Sequence, residues 1–176
     1  MIISSAQAIS FFIGYKYLVL FPAAVIEGPI VTILGGFLAS LGYLNVYAVY
    51  AVVVLGDLAA DSGYYAISRW GRERFVDRWG RYFGMTPERI GRLETHFEKH
   101  IGKTLAIAKL THAFVIGFIF AAGIARVPYR KFLWYIFLPT LLKSFVLVLI
   151  GFFFGRAYAQ FDQYLNYISL ALPLLV

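Results

Sequence analysis

No cysteine occurs in the 176 residues, so the chain has no disulfide, no thiolate metal ligand and no catalytic thiol. Charge is scarce as well: Asp, Glu, Lys and Arg make up 14% of the residues, against about a quarter in an average soluble domain. Acids are the scarcer sign, nine against sixteen Lys and Arg, which leaves a net charge of +7. There is also no phosphate-binding glycine loop and no Ser-His-Asp order with supporting glycines, so nothing points to an enzyme or a bound cofactor. The first residues lack a basic n-region and carry Lys16 within an apolar stretch, which does not read as a cleaved signal peptide. What the chain does have is apolar side chain, with 61% hydrophobic residues and a mean hydropathy of +0.75. Such a composition belongs in a bilayer, and the length suits one membrane domain, 1–176, of a few spans of about 20 residues each.

Along the chain an apolar stretch (5–16) precedes a run from 17–41, a helix (44–68) and a basic region (69–103). A second apolar run (104–125), a helix (131–155) and an apolar tail (163–176) follow. Glu27-Gly28-Pro29 interrupts the run 17–41. A carboxylate at that depth costs about 2.5 to 3.5 kcal/mol unless protein, water or a cation compensates it, so Glu27 is a functional candidate. Gly28 and Pro29 remove helix propensity and one backbone donor, which favours a turn there. The basic region holds nine Lys and Arg against five acids, and Trp70, Phe75, Trp79 and Phe83 are interleaved with them. That pattern beside a membrane segment predicts cytoplasmic contact with anionic lipid head groups rather than with nucleic acid. Thr86-Pro87-Glu88 reads as a helix start, followed by Ile90, Leu93, Phe97 and Ile101 as one apolar stripe of an amphipathic surface helix.

Topology follows from the flanking charges. Lys99 and Lys103 precede the run 104–125, and Arg126, Arg130 and Lys131 follow it, so the positive-inside rule keeps both ends on the cytoplasmic face. The run is then re-entrant, with Gly117 as the place to turn. The Glu27 hairpin enters from the opposite face. A shift of 87 residues places Lys16 on Lys103, Gly36 on Gly123 and Arg69 on Arg156. The expected fold is therefore an all-α membrane protein, an inverted repeat of two opposed re-entrant helical hairpins, each followed by a transmembrane helix. Transporters commonly use this plan.

At this point the residues resemble the DedA family, whose shared region is also called the VTT or SNARE-associated domain, over roughly Tyr17 to Arg156. Glu27-Gly28-Pro29 with Gly35-Gly36-Phe37-Leu38-Ala39 resembles the family's first hairpin. Asp61, Tyr65, Ile67, Arg69 and Gly71 resemble its Asp, Tyr and Ile-Gly-Arg pattern, with Ser68 in place of the Gly. Phe97-Glu98-Lys99-His100 with Gly102, then Ala122-Gly123, Arg126 and Pro128-Tyr129-Arg130, resemble the flanks of its second hairpin. Family members commonly carry two arginines six residues apart there; here Lys109 and Val115 stand at those positions, and His112 replaces a proline. The resemblance implies a prokaryotic cytoplasmic membrane protein with 69–103 facing the cytoplasm, and a carrier of undecaprenyl phosphate or phospholipid.

Candidate site residues are the charges within apolar segments: Glu27, Asp57, Asp61, Lys109 and Lys143, with Arg69 at a helix end and His112 one turn from Lys109. Asp57 and Asp61, four apart, share a helix face. Asp57 is expected to pair with Lys143, Asp61 with Arg69, and Glu27 to lie near Lys109 at the opposed hairpin tips. There Lys109 would bind an anionic head group and Glu27 a proton. The hairpin backbone is carried by Gly28, Pro29, Gly35, Gly36, Gly117 and Gly123. His96 and His100 have metal-ligand spacing but no third ligand, so no metal is expected. The functional expectation is a lipid or lipid-phosphate transporter. A carrier of a small soluble solute and a non-transporting scaffold are the alternatives, and the oligomeric state is open.

Overall fold

The computed structural model describes residues 5–71, 87–111 and 115–171. Its elements are α1 (Ser5–Ile26), α2 (Gly28–Ser40), α3 (Val46–Trp70), α4 (Pro87–Thr111), α5 (Val115–Ile124) and α6 (Tyr129–Ala171). Two of these helices are long and apolar enough to cross a membrane: α3, with 25 residues, and the 32-residue stretch Tyr129–Gln160 of α6. At 1.5 Å per residue they reach about 37 and 48 Å, more than the hydrocarbon thickness of about 30 Å. Only 28% and 33% of their apolar windows are buried against the rest of the chain. The outward faces therefore present Leu55, Ile67, Trp134, Leu138 and Phe153, a surface that suits lipid. By contrast α2 and α5, with 13 and 10 residues, span only about 20 and 15 Å.

Two compact units share the helices. The first, Met1–Gly56 with Ser144–Val176, combines α1, α2, the start of α3 and the later part of α6. Leu20, Ala24, Ala39, Val49, Val53 and Val148 form its core. Backbone meets backbone where α2 lies on α6, since a Cβ on Gly36 would stand 2.2 Å from the Val148 carbonyl oxygen. The second unit, Asp57–Lys143, combines the rest of α3, α4, α5 and the start of α6. Tyr65, Phe97, Leu105, Ile119, Phe132 and Ile136 belong to its core, with Tyr65 stacked on Phe132 at 4.5 Å. Here α5 approaches α3 through Gly123, whose added Cβ would stand 2.8 Å from the Tyr65 carbonyl oxygen.

The offset of 87 residues recurs in these details. Gly28 and Val115, the first residues of α2 and α5, are 87 apart, as are the two close-approach glycines. Arg69 lies over the Tyr65 ring at 5.8 Å, and 87 residues later Arg156 lies over the Phe152 ring at 4.8 Å. Both short helices also end in the same turn, here 84 residues apart because α5 is three residues shorter than α2. The amides of Gly42 and Tyr43 donate to Ala39 and Leu38, and those of Arg126 and Val127 to Gly123 and Ala122. This Schellman pattern needs a left-handed residue just past the helix. Gly42 supplies it with φ 83°, and Arg126, a non-glycine, with φ 53°.

Several expected boundaries move. The run 104–125 does not turn at Gly117, which lies inside α5; its two helices are separated by 112–114, outside the described residues. A single glycine lowers helix propensity by only about 1 kcal/mol, too little to end a helix that packs well. Nor does a helix end at 103: α4 runs through to Thr111 with a kink at His100 (φ −132°, ψ 19°). In the same way α1 joins 5–16 to the following run across a kink at Tyr15. The helix expected over 131–155 and the tail as far as Ala171 are one helix, α6, because no proline or glycine occurs from Arg156 to Ala171; 172–176 lie outside the described residues. The stretch 72–86, Thr86 included, lies outside the described residues.

Candidate functional site

Along α3 one stripe takes every fourth residue, Val49, Val53, Asp57, Asp61 and Tyr65, and winds about 40° round the helix at each step. The helical period sets this register, and it turns both carboxylates inward with the apolar residues. Asp61 is buried and Asp57 half-buried, two neighbouring acids that need cations, and the second unit supplies them from two other helices. Lys109, in the last turn of α4, is 2% exposed; its Nζ donates to Asp61 Oδ2 and lies 3.0 Å from Asp57 Oδ2. Lys143 of α6 donates to the same Asp57 oxygen at 2.6 Å. The result is an alternating row, Asp61, Lys109, Asp57, Lys143, with formal charge zero. Neutrality makes burial tolerable, because each ion's lost hydration is offset only by an opposite charge at bonding distance.

Asp57 and Lys143 are thus together, as the sequence suggested. The other two pairings change. Lys109, expected opposite Glu27, is instead held by Asp57 and Asp61. Asp61 does not meet Arg69, because eight residues of helix separate them by about 12 Å. Arg69 instead donates to Tyr65 Oη at 2.6 Å and to the Val127 carbonyl at 2.9 Å. Tyr65 Oη donates to that same carbonyl, so this pair fixes the turn between α5 and α6. The fourfold spacing from Asp57 through Asp61 to Tyr65 was the signal for Tyr65's place in the core.

In the first unit Glu27 is the break between α1 and α2. Its φ of −129° and ψ of 57° leave the helical range, Pro29 occupies the first turn of α2, and the carboxylate makes no capping bond. Its side chain is exposed and forms no ion pair among the described residues. Gly28 opens α2, and its carbonyl accepts a hydrogen bond from Thr32 Oγ1 at 2.6 Å. Gly35 faces Val49, and Gly36 faces α6. His112 lies outside the described residues. His96 Nε2 is 3.0 Å from Thr104 Oγ1, and its ring is 5.5 Å from that of His100.

The charged row has no counterpart in the first unit. An offset of 87 residues takes Asp57 to Ser144 and Asp61 to Val148, and takes Lys109 back to Pro22 and Lys143 to Gly56. None of the four is charged. The shared architecture therefore stands in one unit without the ions that the other one buries.

The family model described as the VTT domain matches residues 21–153, about three quarters of the chain. An uncharacterized membrane protein of Synechocystis is 29% identical over 131 residues, 74% of this chain and 60% of that protein. Undecaprenyl phosphate transporter A of Bacillus subtilis is 28% identical over 142 residues, 81% of this chain and 70% of that protein. Protein DedA of Escherichia coli K12 is 27% identical over 133 residues, 74% and 60% of the two chains. The chain thus spans about three fifths of the length of some of the curated relatives it matches. No solved structure matches. With the domain covering most of its length and both long apolar helices, the chain belongs to the VTT-domain, or DedA, family of integral membrane proteins.

Proposed function

We propose that this protein is a transporter that moves a lipid or lipid-phosphate head group, of undecaprenyl phosphate or phospholipid type, across the membrane with protons as the coupling ion. The observation that carries this reading is the buried row of two carboxylates and two ammonium groups, present in only one of two matching units. Charges that the repeated architecture does without are better explained by work than by scaffolding, and ionisable residues within membrane helices mark substrate and ion paths. On this reading α1 with α2, and α4 with α5, form two re-entrant hairpins, since α2 and α5 are too short to cross. Their interruptions at Glu27 and at 112–114 sit where head groups and protons pass. A relative whose name assigns it undecaprenyl phosphate transport supports the substrate class.

A head-group phosphate entering the row would compete with Asp57 and Asp61 for Lys109, and proton uptake by the displaced carboxylate would keep the site neutral. Glu27, exposed and unpaired, is the second proton carrier. The full pairing of the four ions also suits a non-transporting scaffold, and one assay separates the two. Flipping of fluorescent phospholipid and of a polyprenyl phosphate is measured in reconstituted vesicles for the parent, Glu27→Gln and the charge-neutral double variant Asp61→Asn/Lys109→Met. A transporter loses roughly tenfold or more in flux in each, which corresponds to about 1.4 kcal/mol of barrier. Unchanged flux in both variants would remove these residues from any transport mechanism.

A further inference from the structure

Arg126 holds the left-handed position that closes α5, where the matching turn after α2 has Gly42. A non-glycine residue there costs roughly 1 to 2 kcal/mol, so the side chain is retained against a backbone penalty. The position aims it into a cavity of about 370 Å³ in the second unit. Phe97 and Ile101 of α4 form one wall, and Arg126, Val127, Pro128 and Lys131 form the other. Among the described residues two cations, Arg126 and Lys131, line it. From Lys131 the same face of α6 continues through Trp134, Tyr135 and Leu138, at spacings of three, four and seven. These residues line a second cavity of about 600 Å³, closed on its far side by Gly102, Lys103 and Ala106 of α4. It is apolar apart from Lys103. Gly102 permits the approach, since a Cβ there would stand 2.9 Å from the Tyr135 ring.

We propose that this face of the second unit binds one phospholipid of net negative charge, with the phosphate between Arg126 and Lys131 and an acyl chain in the groove between α4 and α6. A basic cavity and an apolar one, lined by successive residues of one face of α6, match an amphiphile with an anionic head. A free phosphate ion would use only the first part. The lipid is bound outside the row of Asp57, Asp61, Lys109 and Lys143, so occupancy does not depend on transport. It is read separately from flux.

The test uses the full chain with Trp70→Phe and Trp79→Phe, which leaves Trp134 as the reporter in the groove. Quenching of its fluorescence by brominated phosphatidylglycerol is compared with quenching by brominated phosphatidylcholine at equal mole fraction. Each cation near an anionic lipid is worth roughly fivefold in relative affinity, so a preference of roughly tenfold or more for phosphatidylglycerol is expected. Lys131→Gln should reduce it roughly fivefold, and Arg126→Gly/Lys131→Gln should abolish it. Glycine at 126 suits the left-handed backbone, so that variant keeps the turn and a loss of preference is not a folding defect. Equal quenching by the two lipids in the parent, or a preference unchanged in the double variant, overturns the proposal. A preference erased by excess inorganic phosphate would assign the cavity to the free ion and overturn the lipid site as well.

Discussion

Removing the Lys109 ammonium should destabilise the protein more than removing that of Lys143, and the order of the charged row says why. Without Lys109, Asp57 keeps Lys143 at 2.6 Å, but Asp61, at 4% exposure, is left with no cation. Breaking a buried pair on one side costs about 3 to 5 kcal/mol. The Coulomb attraction supports that scale: at 3.0 Å and an effective dielectric constant of 20 it is about 5.5 kcal/mol before desolvation is subtracted. An ordinary interhelical hydrogen bond in a membrane averages only about 0.6 kcal/mol, so the two cases are easily told apart. Lys143→Met should cost less, about 1 to 2 kcal/mol, because Lys109 stays beside Asp57. Reversible unfolding of detergent-solubilised protein by dodecyl sulfate, followed by fluorescence, measures Lys109→Met, Asp61→Asn and the double variant. The double variant should recover most of the loss, with a coupling of about 2 to 3 kcal/mol. A cost below about 1 kcal/mol for Lys109→Met, or a double variant as unstable as the summed singles, would refute the alternating row.

Other consequences test other contacts. Gly36→Val should destabilise by about 2 to 3 kcal/mol in the same titration, because even one added carbon meets the Val148 carbonyl oxygen at 2.2 Å. Thr140 and Ser144 are buried on α6, and their hydroxyls find no partner among the described residues, so Thr140→Val and Ser144→Ala should leave stability unchanged or raised. A loss of more than about 1 kcal/mol in either would reveal an unseen polar contact. Tyr65→Phe removes one of two donors to the Val127 carbonyl and should cost about 1 kcal/mol, with Arg69 retaining the turn. Because the chain has no cysteine, Lys103→Cys and Arg126→Cys are each unique labels. An impermeant maleimide should reach both from the same side of the bilayer, and labelling from opposite sides would end the re-entrant reading.

Much of the helix content was legible because apolar runs, Gly-Pro interruptions and flanking charge are local signals. The interruption at Glu27 follows from three consecutive residues. The kinks at Tyr15 and His100 do not, since neither residue is itself a helix breaker. Gly117 misled for the converse reason: its weak propensity is overridden in an apolar helix whose Ile119, Ala122 and Ile124 are buried. At the candidate site, Asp57 and Lys143 were paired from their depth in matching helices. Opposed hairpin tips point Lys109 toward Glu27, whereas in the structure Asp57 and Asp61 hold it. The spacing of Asp57 and Asp61 holds the better clue, since two acids one turn apart can share one lysine but carry two charges, which only a second cation neutralises.

The contrast between the two units bears most directly on mechanism. Both use the same parts in the same order, and both close their short helix with the same turn, yet one position after another carries charge in the second and none in the first. Ser144 and Val148 stand where the offset would place acids, and Pro22 and Gly56 where it would place lysines. Arg126 stands at the left-handed position where the first unit has Gly42. If burial of ions were a requirement of the fold, both copies would show it, since each ion costs several kcal/mol to desolvate. On the proposed reading, two units that share close-approach glycines and a closing turn but differ in charge separate what holds the helices together from what acts on a ligand. Replacing the whole row by Asp57→Ser, Asp61→Val, Lys109→Met and Lys143→Ala should therefore keep a folded protein and lose flux. A quadruple variant that fails to fold would show that the ions serve the second unit's structure after all.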